Sequence, residues 1–105
     1  MIEVRTTPDF DKWFSKLKDQ KAKQRIQIRI RRLSLGNPGD VKPVGEGISE
    51  LRIPYGPGYR VYYKQEAMII ILYAGDKSTQ AADIRKAKLI AKEGEDDEDE
   101  SVGSS

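Results

Sequence analysis

The chain has no cysteine and no histidine. The first absence excludes disulfides and thiolate chemistry. The second removes imidazole general bases and histidine-ligated metals, and with them most common hydrolase mechanisms. No stretch approaches the ~20 apolar residues needed to cross a bilayer, so no membrane partner is expected. The opening Met1-Ile-Glu-Val-Arg5 lacks the basic-then-apolar layout of a signal peptide, which gives a cytoplasmic expectation. Walker loops, EF-hands, dinucleotide fingerprints and internal repeats are missing, and the acidic pairs of the body are scattered; neither a cofactor nor a metal is expected.

What is present is one domain's worth of chain: 105 residues, against about 100 to 150 for an ordinary domain. The net charge of +2 conceals a division. All 19 Lys and Arg fall in residues 1–92 with 10 of the 17 acids, so that the body carries 19 − 10 = +9. The other 7 acids are Glu93 and the run Glu95-Asp96-Asp97-Glu98-Asp99-Glu100, with no base among residues 93–105. A body this basic attracts polyanions such as nucleic acid. The acidic segment 93–105, with Val102 its one apolar side chain, has too little to repay ordering and is expected to be a disordered tail. It reads either as a solubiliser or as a strap that folds over the basic body and weakens RNA encounter at low salt.

Residues 2–6 alternate as a half-buried strand does. Thr7 as N-cap, Pro8 at the first helical position and Asp9 and Asp11 in the first turn predict a helix. Phe10, Trp13, Phe14 and Leu17 at i, i+3, i+4 and i+7 give it an apolar stripe that reads as core. A second helix is expected over residues 21–35, from Ala22, Ile26, Ile30 and Leu33, stopped by Gly36-Asn-Pro-Gly39. Its cations Lys21, Lys23, Arg25, Arg29, Arg31 and Arg32 form either a solvated face or a surface for nucleic acid or an acidic partner.

Residues 36–47 read as a loop, rich in Gly and Pro. Three antiparallel strands are expected at 49–54, 59–65 and 67–74, joined by the turn Tyr55-Gly-Pro-Gly58 and the tight link Gln65-Glu66. The all-apolar run Met68 to Leu72 is expected in the middle of the sheet. A last helix follows Gly75-Asp-Lys-Ser-Thr79, with Ser78 as N-cap, and Asp76 reads as a capping or turn residue. The expected fold class is therefore α+β, in the order β-α-α-β-β-β-α: a small antiparallel-rich sheet packed against an N-terminal helical hairpin. In strand 59–65, Arg60, Tyr62 and Lys64 share the face opposite Tyr59, Val61 and Tyr63, and one of these faces is expected to look outward. Tyr55, Tyr62 and Tyr73 read as half-buried sheet tyrosines or as base-stacking rings.

This order, with Glu50-Leu-Arg-Ile53, Tyr55-Gly-Pro-Gly-Tyr-Arg-Val-Tyr-Tyr63 and Leu72-Tyr-Ala-Gly-Asp-Lys-Ser-Thr-Gln80 leading into Asp83-Ile-Arg-Lys-Ala87, resembles the RelE/ParE toxin superfamily over residues 1–92. The similarity is to its HigB-like branch, the addiction module killer proteins. The resemblance implies the toxin of a type II toxin–antitoxin pair: a ribosome-dependent, metal-independent mRNA endonuclease, neutralised by a cognate antitoxin of the helix-turn-helix DNA-binding class. In such cleavage the 2′-hydroxyl attacks the adjacent phosphate, and the protein supplies charge, proton transfer and alignment.

Arg60 falls on the family's phosphate-stabilising strand arginine and Lys77 near a second basic position, beside a helix N-terminus that favours phosphate. Arg52 on the adjacent strand is a third candidate. Glu50 and Asp83 stand where RelE has lysine and tyrosine, which makes Glu50 a candidate general base or else a cross-strand ion-pair partner. A ParE-like DNA gyrase poison and an inactive nucleic-acid-binding relative stay open as alternatives.

Overall fold

A computed structural model describes the backbone of residues 1–103 and the side chains of residues 1–94. The chain is α+β. It runs β1 (Val4–Thr6), α1 (Pro8–Lys16), α2 (Gln20–Ser34), β2 (Val41–Gly45), β3 (Ile48–Ile53), β4 (Tyr59–Gln65), β5 (Ile69–Asp76), a 3-10 turn (Lys77–Thr79) and α3 (Gln80–Gly103). One sheet holds all five strands in the order β1-β5-β4-β3-β2. Strands β2 to β5 pair antiparallel, and β1 pairs parallel to β5 with Val4 opposite Ile69.

The helical hairpin forms as its caps dictate. Thr7 Oγ1 accepts from the Phe10 amide at 3.1 Å, Pro8 opens α1, and Asp19 caps α2 by accepting from the amides of Lys21 and Ala22. Gly36, at φ +88°, closes α2. Its amide donates to Leu33 O and that of Asn37 to Arg32 O, the paired bonds of a Schellman stop. Phe10, Ala22, Ile26 and Leu33 are buried against Leu51, Val61, Tyr63, Ile69 and Ile71, with Trp13, Phe14, Leu17 and Ile30 packed around them. The other sheet face is covered by α3, whose Ala87 lies with Ile48, Tyr62 and Leu72 and is flanked by Ile84, Ile90 and Ala91.

Five expectations change. The segment read as a loop, 36–47, contains β2, so the order gains a strand. Pro43 is accepted there because β2 is an edge strand and a register shift falls between Pro43 and Gly45. Glu46 and Gly47, at φ +57° and +77°, make the tight turn into β3. The strand holding the apolar run, β5, is interior and covered on both faces, but the central strand is β4.

The N-cap after β5 is Asp76 rather than Ser78: its carboxylate accepts from the Ser78 amide and hydroxyl, and the 3-10 turn precedes α3. Neither face of β4 is open along its middle, since Tyr62 is as buried as Val61, while Arg60 and Lys64 on the Tyr62 face are only partly covered. Finally, the backbone of α3 runs on to Gly103, through the segment expected to be a disordered tail. The remaining expectations for the tail concern side chains from residue 95 onward, which lie outside the described residues.

Candidate functional site: an arginine pair on a buried carboxylate

Alternation places Glu50 and Arg52 of β3 on the α3 side of the sheet, and the antiparallel register sets Glu50 opposite Tyr62 and Arg52 opposite Arg60. Two like charges directly opposite each other weaken a sheet unless something compensates. Glu50 compensates. It is fully buried, and its Oε1 accepts from Arg52 Nε at 3.0 Å. Its Oε2 accepts from Tyr62 Oη at 3.1 Å and from Gln80 Nε2 at 2.8 Å, and lies 3.8 Å from Arg60 Nε. Burial alone would raise the Glu50 pKa. The hydrogen bonds from Gln80, Arg52 and Tyr62 and the Arg60 charge outweigh it and hold the carboxyl below its ordinary range. Tyr62 moves the other way, pushed up by burial and by the Glu50 charge that its hydroxyl faces.

Arg60 is mostly buried, its side chain 14% exposed, and Arg52 is 33% exposed. Arg60 donates from Nη1 to Gly58 O at 2.9 Å, while its buried Nε has no hydrogen-bond partner. Gly58, at φ +81°, permits this approach: a Cβ there would lie 3.3 Å from Arg60 Nη1 and 3.6 Å from the Lys77 Cβ. The exposed Lys77 therefore stands at the same end of the sheet face.

The fold thus brings together all four residues singled out in the sequence, Arg52, Arg60, Lys77 and Glu50. They do not play equal parts. Glu50 is sealed beneath the two arginines, and the amide of Ser78 is already bonded by Asp76, so the turn after β5 is occupied by a carboxylate rather than presented to an anion. Arg52 is also fixed from behind. Its amide donates to Asp40 O at 3.0 Å, and its carbonyl accepts from Arg29 Nη1 at 2.5 Å. Arg29, read only as one of six helix cations, is thus a structural tie.

Asp83 is buried at the first turns of α3 and accepts from Thr79 Oγ1 at 2.5 Å. Burial pushes its carboxyl up, the Thr79 bond opposes, the Asp76 charge adds to the rise and Lys86 opposes it. Of the tyrosines, Tyr62 is inaccessible, the Tyr73 ring is covered by Lys86 at 4.7 Å and the Tyr55 ring by Arg25 at 4.7 Å. Among the described residues no group of three or more acids is placed to hold a metal. A concavity of about 750 Å³ lies on the other side of the sheet, floored by Ile2, Val4, Phe10, Phe14 and Ile30, away from the arginines.

This is a small α+β protein whose sheet carries two guanidinium groups over one buried carboxylate, with Lys77 at the end of that face. No family model matches the sequence. Over 94 residues the chain is 54% identical to an uncharacterized protein of Haemophilus influenzae, covering 88% of this chain and 95% of that one. It belongs to that protein's family.

Proposed function

We propose that the protein is a RelE-like toxin of a type II toxin–antitoxin pair that works in the cytoplasm as a ribosome-dependent mRNA endonuclease and is silenced by a cognate antitoxin. The observation that carries the reading is the register pair Arg52–Arg60 with Lys77 at the same end of the face. Cleavage by the RNA's own 2′-hydroxyl forms a bond from that oxygen to phosphorus and breaks the bond to the 5′-oxygen, leaving a cyclic phosphate; the hydroxyl proton passes to water and the departing oxygen takes one up from it. Negative charge builds on the phosphoryl oxygens between these events, and preorganised guanidinium donors stabilise it most at that point. The basic body, +9 over residues 1–92, supplies the attraction that brings a polyanion to the face. The helical hairpin on one side of a largely antiparallel sheet is also the layout that the resemblance predicts.

The test is primer-extension mapping of mRNA in a cell-free translation reaction, with intact protein, Arg60→Ala and a reaction without ribosomes. Expected are codon-registered cuts that need ribosomes and fall about 10²–10³-fold in Arg60→Ala, the loss typical of one transition-state donor. A folded protein that makes no cuts overturns the nuclease reading. A toxicity that survives Arg60→Ala points instead to a gyrase poison.

A further inference from the structure

The carboxylate of Glu50 has no route to solvent, yet it is ionised, and an isolated charge in such a place is costly. What the protein gains from it is geometric. Its partners come from three elements: Arg52 on its own strand, Tyr62 and Arg60 on β4, and Gln80 at the start of α3. Arg52 is hydrogen-bonded near the root of its planar fork, and Arg60 faces the same carboxylate there across 3.8 Å. Arg52 gives Glu50 its Nε, so both of its Nη groups remain for a ligand. Arg60 turns Nε toward the same carboxylate and spends Nη1 on Gly58 O, so Nη2 remains.

We propose that Glu50 is a positioning residue: it holds the Arg52 and Arg60 forks side by side on one carboxylate, where together they receive one phosphodiester, and it exchanges no proton with the RNA. The proposal rests on the reading that this pair grips RNA, and it replaces the general-base role that the sequence allowed for Glu50. A base must reach the hydroxyl proton that it removes. Both Glu50 oxygens are engaged from within the protein and shielded by the residues they hold.

A positioner of this kind has an unusual signature. Glu50→Gln keeps the shape, removes one negative charge from under two cations and loosens their forks. RNA is then held as tightly as before or several-fold more tightly, while cleavage at saturating RNA falls at least 10-fold and the pH dependence of the remaining activity keeps its shape. A base would lose the acid limb of the pH profile. A purely structural residue would lower binding and turnover together, in proportion to the folded fraction. Either result overturns the proposal, as does unchanged turnover. Gln80→Met, which removes one Glu50 partner at a half-buried helix position, should reproduce the same split more weakly; it serves if Glu50→Gln does not fold.

A second readout is independent of cleavage. In the intact protein, nitrogen-15 spectra should show the Arg52 Nε–H exchanging with water at least 10-fold more slowly than that of the exposed Arg32, and the difference should vanish in Glu50→Gln. If the wild type cuts no RNA but shows this protection, the nuclease reading fails while the locking of the fork stands. If Arg52 exchanges as fast as Arg32, the positioning claim falls whatever the activity.

Discussion

Gly75 of β5 and Asp83 of α3 occupy one space: a Cβ on Gly75 would lie 2.7 Å from Asp83 Cγ and overlap its Oδ2. The helix can lie this close to the sheet only because the strand carries no side chain there, and Gly75 is the register partner of Arg60. Gly75→Ala should destabilise the protein by about 2–3 kcal/mol in urea unfolding, the usual cost of overpacking. Adding Asp83→Ala should recover about 1–2 kcal/mol of that loss, since residues in direct contact couple by such amounts. Additive effects would mean the two do not compete for the space.

The two buried carboxylates under α3 have opposite signs of pH dependence. Glu50 is held below its ordinary value of 4.5, so its contribution is present above that pH and is lost as pH falls through its folded value. Asp83 is held above its ordinary value of 3.8, so its favourable contribution is present below that pH and is lost as pH rises through its folded value. At pH 7 Asp83→Asn should melt higher than wild type, with the gain shrinking toward zero near pH 4. Glu50→Gln should melt lower at pH 7, with its deficit shrinking in acid. Thermal melts between pH 3 and pH 7 read both slopes at once.

Arg29 ties α2 to the sheet through three carbonyls: Arg52 O at 2.5 Å, Pro38 O at 3.0 Å and Asp40 O at 3.3 Å. Lysine keeps the charge but has no planar fork to span them. Arg29→Lys should cost about 2 kcal/mol, the range of one or two hydrogen bonds to a charged donor. It should also speed amide exchange in β2 and β3 while leaving α1 and α3 protected.

Lys77 is exposed and contributes a point charge rather than a fork. Lys77→Ala should weaken single-stranded RNA binding and reduce the slope of log K against log salt by about 0.7, the value of one phosphate contact. Its effect on cleavage should be well below that of Arg60→Ala. An unchanged salt slope would remove Lys77 from the RNA path.

The helices were legible because their signals are local: Thr7 with Pro8, the stripe of Phe10, Trp13, Phe14 and Leu17, and the Gly36 stop each act within a turn or two of chain. Strand β2 was not, because Val41-Lys-Pro-Val-Gly45 carries the composition of a loop and becomes a strand only when β3 offers an edge. The same limit applies at the site. Alternation put Arg60 with Tyr62, but the burial of Glu50 depends on Gln80, 30 residues away and on a helix whose crossing of the sheet no local pattern fixes. Asp76 took the cap from Ser78 because a 3-10 turn precedes α3, a preference too slight to read from Lys77-Ser-Thr79.

The first strand lies beside the last. The Ile69 amide donates to Glu3 O at 2.8 Å, that of Thr7 to Ile71 O at 3.1 Å, and the Thr7 hydroxyl to Leu72 O across 65 residues. During synthesis at about 5–20 residues per second, β1 waits roughly 3–13 s for its neighbour. Throughout that interval Phe10, Trp13 and Phe14 have no β5 to cover them, so a chain interrupted before Ile69 is a target for chaperones and proteases rather than a small working protein. Gln80 emerges later still, and with it the last hydrogen bond to Glu50. The face that carries Arg52 and Arg60 thus takes its final shape only late, once α3 has begun to emerge.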